Sequence, residues 1–146
     1  MIYKIKTIVL ILFIGLPLNS CSDNVDDKPL KVASVEWDLL RRSALTSSAI
    51  WSMTDYKEEH FISDQNYINQ IKEMIKELDV NDDILGTDVR ISVLILNQEN
   101  STDTLSFGTN KVIQLNDKYY NWDDDLFEHI LSVISDDHRK TIREIM

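Results

Sequence analysis

The stretch from Val89 to Trp122 constrains this chain most, because apolar and polar residues alternate along it between closely spaced turn residues. Val89, Ile91, Val93 and Ile95 alternate with Arg90, Ser92, Leu94 and Leu96. Side chains on a strand point to opposite faces in turn, so this pattern predicts a strand with one wholly apolar face. Thr104 to Phe107 and Val112 to Leu115 extend the pattern. Asn116-Asp117 then has the composition of a two-residue hairpin turn into Lys118 to Asn121. That turn sets Leu115 against Lys118 and Ile113 against Tyr120. A Gly108-Thr109-Asn110 loop sets Leu105 against Ile113 and Phe107 against Lys111. Leu105, Phe107, Ile113, Leu115, Tyr120 and Trp122 then share one face, whereas a slip of one residue would divide them between two.

Helical spacing appears on either side of this meander. Asp64 has the chemistry of an N-cap ahead of Ile68, Ile71, Ile75 and Leu78, while Lys72, Glu73, Lys76 and Glu77 cover the wet side. A last helix is expected to start near Asp123 to Asp125, with Asp125 and Glu128 at capping-box spacing. Its apolar stripe is Leu126, Phe127, Ile130, Leu131 and Ile134, and Ser135-Asp136-Asp137 restarts a helix towards Met146. Leu45 to Met53 reads as a strand with Ala49, Trp51 and Met53 on one face. Residues 34–45 fit either a short helix capped by Ser34 or a strand. The expected fold is α+β, a two-layer sandwich of an antiparallel sheet, about four to five strands, with two helices on one face.

The N-terminus carries an address. Lys4 and Lys6 precede an apolar run from Ile8 to Leu16, which Pro17 ends. That run is too short to span a bilayer, which takes about 17–25 residues, and has the form of a secretory signal. Leu18-Asn19-Ser20-Cys21 resembles the lipobox of bacterial lipoproteins. The resemblance implies that Cys21 is diacylglycerylated, that cleavage falls before it, and that the new amine is acylated. Ser22 is similar to the residue that follows the cysteine in lipoproteins sorted to the outer membrane. Residues 1–20 are thus read as signal peptide, 21–33 as a flexible tether and 34–146 as one domain, membrane-anchored through lipidated Cys21. Cys21 is the only cysteine, so neither an internal disulfide nor a cysteine-ligated zinc is expected.

Charge and glycine content exclude other classes. The chain holds 15 basic and 25 acidic residues; loss of Lys4 and Lys6 with the signal leaves 13 basic side chains and a net charge of −12. Such a surface repels nucleic acid. Beyond the signal only Gly86 and Gly108 remain, too few for a phosphate-cradling loop. Glu58-Glu59-His60 sets a carboxylate next to an imidazole in an expected loop ahead of a helix, but no second histidine stands at ligand spacing, and His60, His129 and His138 are read as surface residues. Asp79-Val80-Asn81-Asp82-Asp83 begins like a calcium loop, but Ile84 stands where glycine is required and Arg90 where a bidentate glutamate belongs. Asp79, Asp82, Asp83 and Asp88 are instead expected near a helix C-terminus, as a solvated loop or a contact for a cation or a basic partner. Asp103-Thr104-Leu105 resembles an O-glycosylation tripeptide of some Gram-negative phyla, but the chain holds 17 aspartates and no site is taken from so short a pattern. No catalytic residue, metal ligand or cofactor is expected.

Register places Leu94, Leu96, Val112 and Tyr119 on the sheet face away from the helices, together with Arg90, Ser92 and Gln114. Either a protein partner docks on these four residues or the segment bearing Trp37 folds over them. The leading functional expectation is a lipid-anchored envelope protein that is not an enzyme and binds another protein, of inhibitor or immunity type, with a basic partner favoured by the charge. The alternatives are an accessory subunit of an envelope complex and a small enzyme or ligand-binding module built on carboxylates and His60.

Overall fold

The computed structural model describes residues 30–36, 43–97 and 101–145. Along them run β1 (Leu30–Val35), α1 (Ser47–Ser52), β2 (Lys57–Ile62), α2 (Gln65–Lys76), β3 (Val89–Leu96), β4 (Thr102–Gly108), β5 (Val112–Leu115), β6 (Lys118–Tyr120), α3 (Asp124–Leu131) and α4 (Asp136–Ile145). Cys21 and Trp37 lie outside the described residues. All neighbouring strands are antiparallel, in the order β2-β1-β3-β4-β5-β6. Since β1 lies between β2 and β3 and opposes both, those two strands run the same way, and α2 is the crossover that connects them.

The α+β class stands, with six strands and four helices among the described residues rather than four to five and two. The added strands are β1 and β2. β1 offers Leu30 and Val32 to one face and Ala33 and Val35 to the other, so its six residues show no clean alternation; it is the second strand of the sheet and begins inside the span read as a tether. Ala33 and Ser34 are fully buried in it. β2 carries the charges of Lys57, Glu58 and Glu59, which suit a sheet edge. Glu58-Glu59-His60 therefore stands on an edge strand and not in a loop.

Leu45 to Met53 is a helix and not the expected strand. Thr46 caps α1, its hydroxyl accepting from the Ala49 amide at 3.2 Å. One and a half turns are too few for a 3.6-residue period to be told from alternation. Ile50 is its buried side chain and packs with Leu45, Ala33, Val35 and Val89 in a small core. That core lies on the sheet face opposite the other three helices, so the helices are not all on one side.

The main core lies between the sheet and α2, α3 and α4. Val32, Ile91, Val93, Leu105, Phe107 and Ile113 meet Ile68 and Ile71 of α2, Leu126, Phe127, Ile130 and Leu131 of α3, and Ile142 of α4. Asp64 caps α2 as expected, accepting from the amides of Asn66 at 2.9 Å and Tyr67 at 3.3 Å. α3 is capped by Asp123, which accepts from the Leu126 amide at 2.7 Å, two residues earlier than the Asp125–Glu128 pairing.

The β5–β6 register is the expected one, Leu115 against Lys118 and Ile113 against Tyr120. Asn116 takes the positive φ of 53° that the turn demands. Between β4 and β5 the pairing is Phe107 with Ile113 and Leu105 with Leu115, shifted by two residues. The loop is Thr109-Asn110-Lys111, with Lys111 in the left-handed region at φ 53°. A shift of two keeps every side chain on its face, so the apolar stack survives. In β3 an irregularity between Val89 and Ile91 turns Val89 to the α1 side while Ile91 stays in the main core.

Candidate functional site

Cross-strand register arranges the α1 side of the sheet in rows. One row is Glu59, Ala33, Ser92, Ser106, Gln114 and Tyr119; the next is Phe61, Lys31, Leu94 and Thr104. α1 sits over the middle of the first row. Trp51 Nε1 donates to Ser92 Oγ at 2.9 Å, and the Ser47 and Ser106 hydroxyls hydrogen-bond. These contacts satisfy two serines that are fully buried in the sheet. The face is therefore partly covered, by Leu45 to Met53 with Trp51, a segment eight residues and more beyond Trp37. The signal for it was Thr46, an N-cap residue just ahead of Ile50 and Trp51.

What α1 leaves open is a trough of about 930 Å³. Trp51, Leu94, Thr104, Gln114, Asn116 and Tyr119 are among its lining residues. Of the four residues assigned to a partner, Leu94 and Tyr119 are half-buried and line this trough. Leu96 is half-buried beyond it, and Val112 is buried at 5% exposure in the Gly108 row. The trough wall is stiffened by amides. Asn116 Oδ1 accepts from the Thr104 amide at 2.9 Å, its Nδ2 donates to Asp103 Oδ1 at 2.9 Å, and Gln114 Nε2 donates to the Asn116 carbonyl at 2.8 Å.

Arg90, expected on this open face, is buried at 5% exposure beside the register irregularity between Val89 and Ile91. Its Nη2 lies 2.7 Å from Asp88 Oδ2, and its Nη1 donates to the Glu36 carbonyl at 3.3 Å. Asp88 Oδ1 accepts from the Leu45 amide at 2.7 Å. Asp88 is thus an internal clamp and not a member of the acidic loop. Asp79 to Asn81 run beside β6: the Asn81 amide donates to the Tyr119 carbonyl and the Asn121 amide to the Asp79 carbonyl, both at 2.9 Å. Asp82 and Asp83 stay exposed, as do Val80 at 54% and Leu85 at 98%. Sequence reading saw the acids of this loop and missed the apolar side chains between them.

The histidines are not simple surface residues. Glu58 receives the Ser135 amide at 3.2 Å and its hydroxyl at 2.8 Å, which ties β2 to the start of α4. His60 Nε2 lies 2.7 Å from Glu58 Oε1, and His138 Nδ1 lies 3.1 Å from Oε2 and 3.2 Å from Ser34 Oγ. A nucleophilic relay needs the acid and the hydroxyl on opposite ring nitrogens. Here both meet Nδ1 of His138, and Ser34 is fully buried, so this arrangement is a clamp between elements. Among the described residues no group of three or more His, Cys, Asp or Glu has the geometry to hold a metal ion.

No family model, curated protein or solved structure matches this chain.

His129, expected on the wet side of α3, stacks on Tyr67 with ring centroids 4.2 Å apart. The Tyr67 hydroxyl donates to the His129 carbonyl at 2.6 Å. Burial pushes this hydroxyl above its ordinary value of 10.0, an effect the Ser132 hydroxyl partly offsets. The folded chain therefore holds this proton more tightly than the unfolded chain. Stability from this group is complete below about pH 10 and is lost as pH rises through the folded value. Tyr67→Phe is expected to lower stability by about 1 kcal/mol at neutral pH through the lost hydrogen bond. It also flattens the decline above pH 10, as urea midpoints at pH 8 and 10.5 would show.

Proposed function

We propose that this chain is a lipid-anchored protein of the bacterial cell envelope, not an enzyme, that binds another protein through the part of the sheet face α1 leaves open. The trough between Trp51 and Tyr119 carries this reading, because it joins aromatic walls to an apolar floor at Leu94. Aromatic side chains in such hollows are frequent anchors of protein interfaces. The acidic surface favours a basic partner and gives the binding the character of an inhibitor or immunity factor. Lipidated Cys21 holds the domain at a membrane, the outer membrane of a Gram-negative cell on the likeness of Leu18-Asn19-Ser20-Cys21-Ser22. Among the described residues no helix is long and apolar enough to cross one.

The anchor has its own expected result. Cells fed labelled palmitate incorporate the label into the chain, and Cys21→Ala abolishes both the label and the processing. The binding is tested with the full-length chain in detergent as bait in envelope extract, with and without about 0.5 M salt, which screens exposed charges. One partner released by salt is expected. Tyr119→Ala and Leu94→Ala should each weaken its capture about tenfold, a loss of about 1.4 kcal/mol, with thermal unfolding unchanged. Capture that neither variant weakens would contradict the assignment of this face.

A further inference from the structure

The trough does not end at β6. Asp117 and Tyr119 line it and also line a smaller hollow of about 350 Å³, whose other walls include Val80, Asp82, Ile84 and Lys118. The two hollows adjoin at Asp117 and Tyr119, so their linings together cross the sheet from α1 over β3, β4 and β5 to the rim at β6. Three inter-strand spacings make this path roughly 14 Å long, the reach of about four extended residues. Chemistry changes along it. The large trough has no cation in its lining and a single carboxylate, Asp117. The rim adds Asp82 beside it, with Asp83 next in the chain, against the one ammonium of Lys118. Among the described residues Asp82, Asp117 and Lys118 enter no ion pair.

We infer that the partner lays an extended peptide segment along this path, neutral side chains over Leu94 and Gln114, with a lysine or arginine at the β6 end between Asp82 and Asp117. The inference rests on the protein-binding reading and names the recognised segment. The apolar rim decides for a peptide over a sugar. Leu85 is 98% exposed and Val80 54%, and Leu85 directly precedes the trough-lining residues Gly86 and Thr87. A saccharide filling the trough leaves both side chains in water, whereas a protein carrying the segment covers them. Charge complementarity at the rim fixes the direction of the segment, since only one end of the path is acidic.

The test pans a phage-displayed library of random dodecapeptides against the full-length chain in detergent micelles and measures synthetic winners by fluorescence anisotropy. Expected winners carry a lysine or arginine beside a neutral stretch of about four residues. Their affinity falls about tenfold in Tyr119→Ala and at least several-fold in Asp82→Asn/Asp117→Asn, while the thermal midpoint of each variant stays put. Winners without a basic residue, or with affinity unmoved by the double asparagine variant, overturn the segment and leave the protein-binding reading standing. No winners, with a partner still captured through Tyr119 from envelope extract, overturn it in favour of a folded docking surface. No winners and no capture overturn both. Titration with the neutral trisaccharide maltotriose is expected to leave tryptophan fluorescence unchanged; a saturating change lost in Tyr119→Ala would replace the peptide with a sugar.

Discussion

Replacing Asp88 with alanine is expected to destabilise the fold by about 3 kcal/mol, out of the 5–15 kcal/mol that holds a typical domain. The carboxylate has two tasks at once. Oδ2 neutralises Arg90, whose side chain is 6% exposed, and Oδ1 receives the Leu45 amide at the start of the segment that carries α1. Without it a guanidinium is left buried and uncompensated, its Nε already without a hydrogen-bond partner. The effect stays at the lower end of the range for such losses because 27% of the Asp88 side chain reaches solvent. Asp88→Asn keeps an acceptor for Leu45 and loses the charge, so it should fall between wild type and alanine. Asp88→Ala/Arg90→Met removes the stranded charge and should recover part of the loss. Urea unfolding of the four proteins measures this order, and Asp82→Ala, an exposed acid of the neighbouring loop, should stay within about 0.5 kcal/mol of wild type.

Phe107→Ala should lose more, about 4 kcal/mol, and lower the melting temperature by on the order of 10 °C. Phe107 is fully buried at the centre of the layer between sheet and helices. Its ring meets Trp122 edge-on at 5.9 Å and Phe127 at 5.7 Å, and those two rings pack at 4.4 Å. Truncation removes one member of a three-ring cluster and opens a cavity where β4 meets α3. Phe107→Leu keeps most of the volume and should lose less than half as much. Calorimetry gives both values, and near-ultraviolet dichroism reports the loosened Trp122 directly.

How much of this was legible in the sequence depended on how far each periodic signal ran. β3 to β6 were readable because their alternation passes through turns whose composition fixes the faces, so even a pairing shifted by two residues kept Leu94 and Tyr119 on the α1 side. α2 and α3 were readable from long apolar stripes and aspartate caps. β1 and β2 were not, since one is six residues with apolar side chains on both faces and the other bears the charges of an edge. α1 is too short for its period to declare itself, and only Thr46 marked it. Arg90 was expected open on the sheet face, but it is buried against Asp88 beside a register irregularity across which counting by twos fails. The Glu58–His138 contact joins residues 80 positions apart and has no local signature at all. Of the site, Leu94 and Tyr119 followed from register, whereas Trp51, the loop apolars Val80 and Leu85, and the acidic rim at Asp82 and Asp117 became visible only once the elements were packed together.

Site-directed photocrosslinking in living cells asks whether the trough beside α1 holds the proposed protein partner. The photoreactive residue benzoylphenylalanine is placed at Tyr119, at Leu94 and, on the outer side of α2, at the exposed Glu73. One crosslinked species of the same mass from Tyr119 and Leu94, absent from Glu73, is the expected result. Crosslinks from Glu73 with none from the two trough positions would rule the trough out and move the interface to the helical side of the molecule.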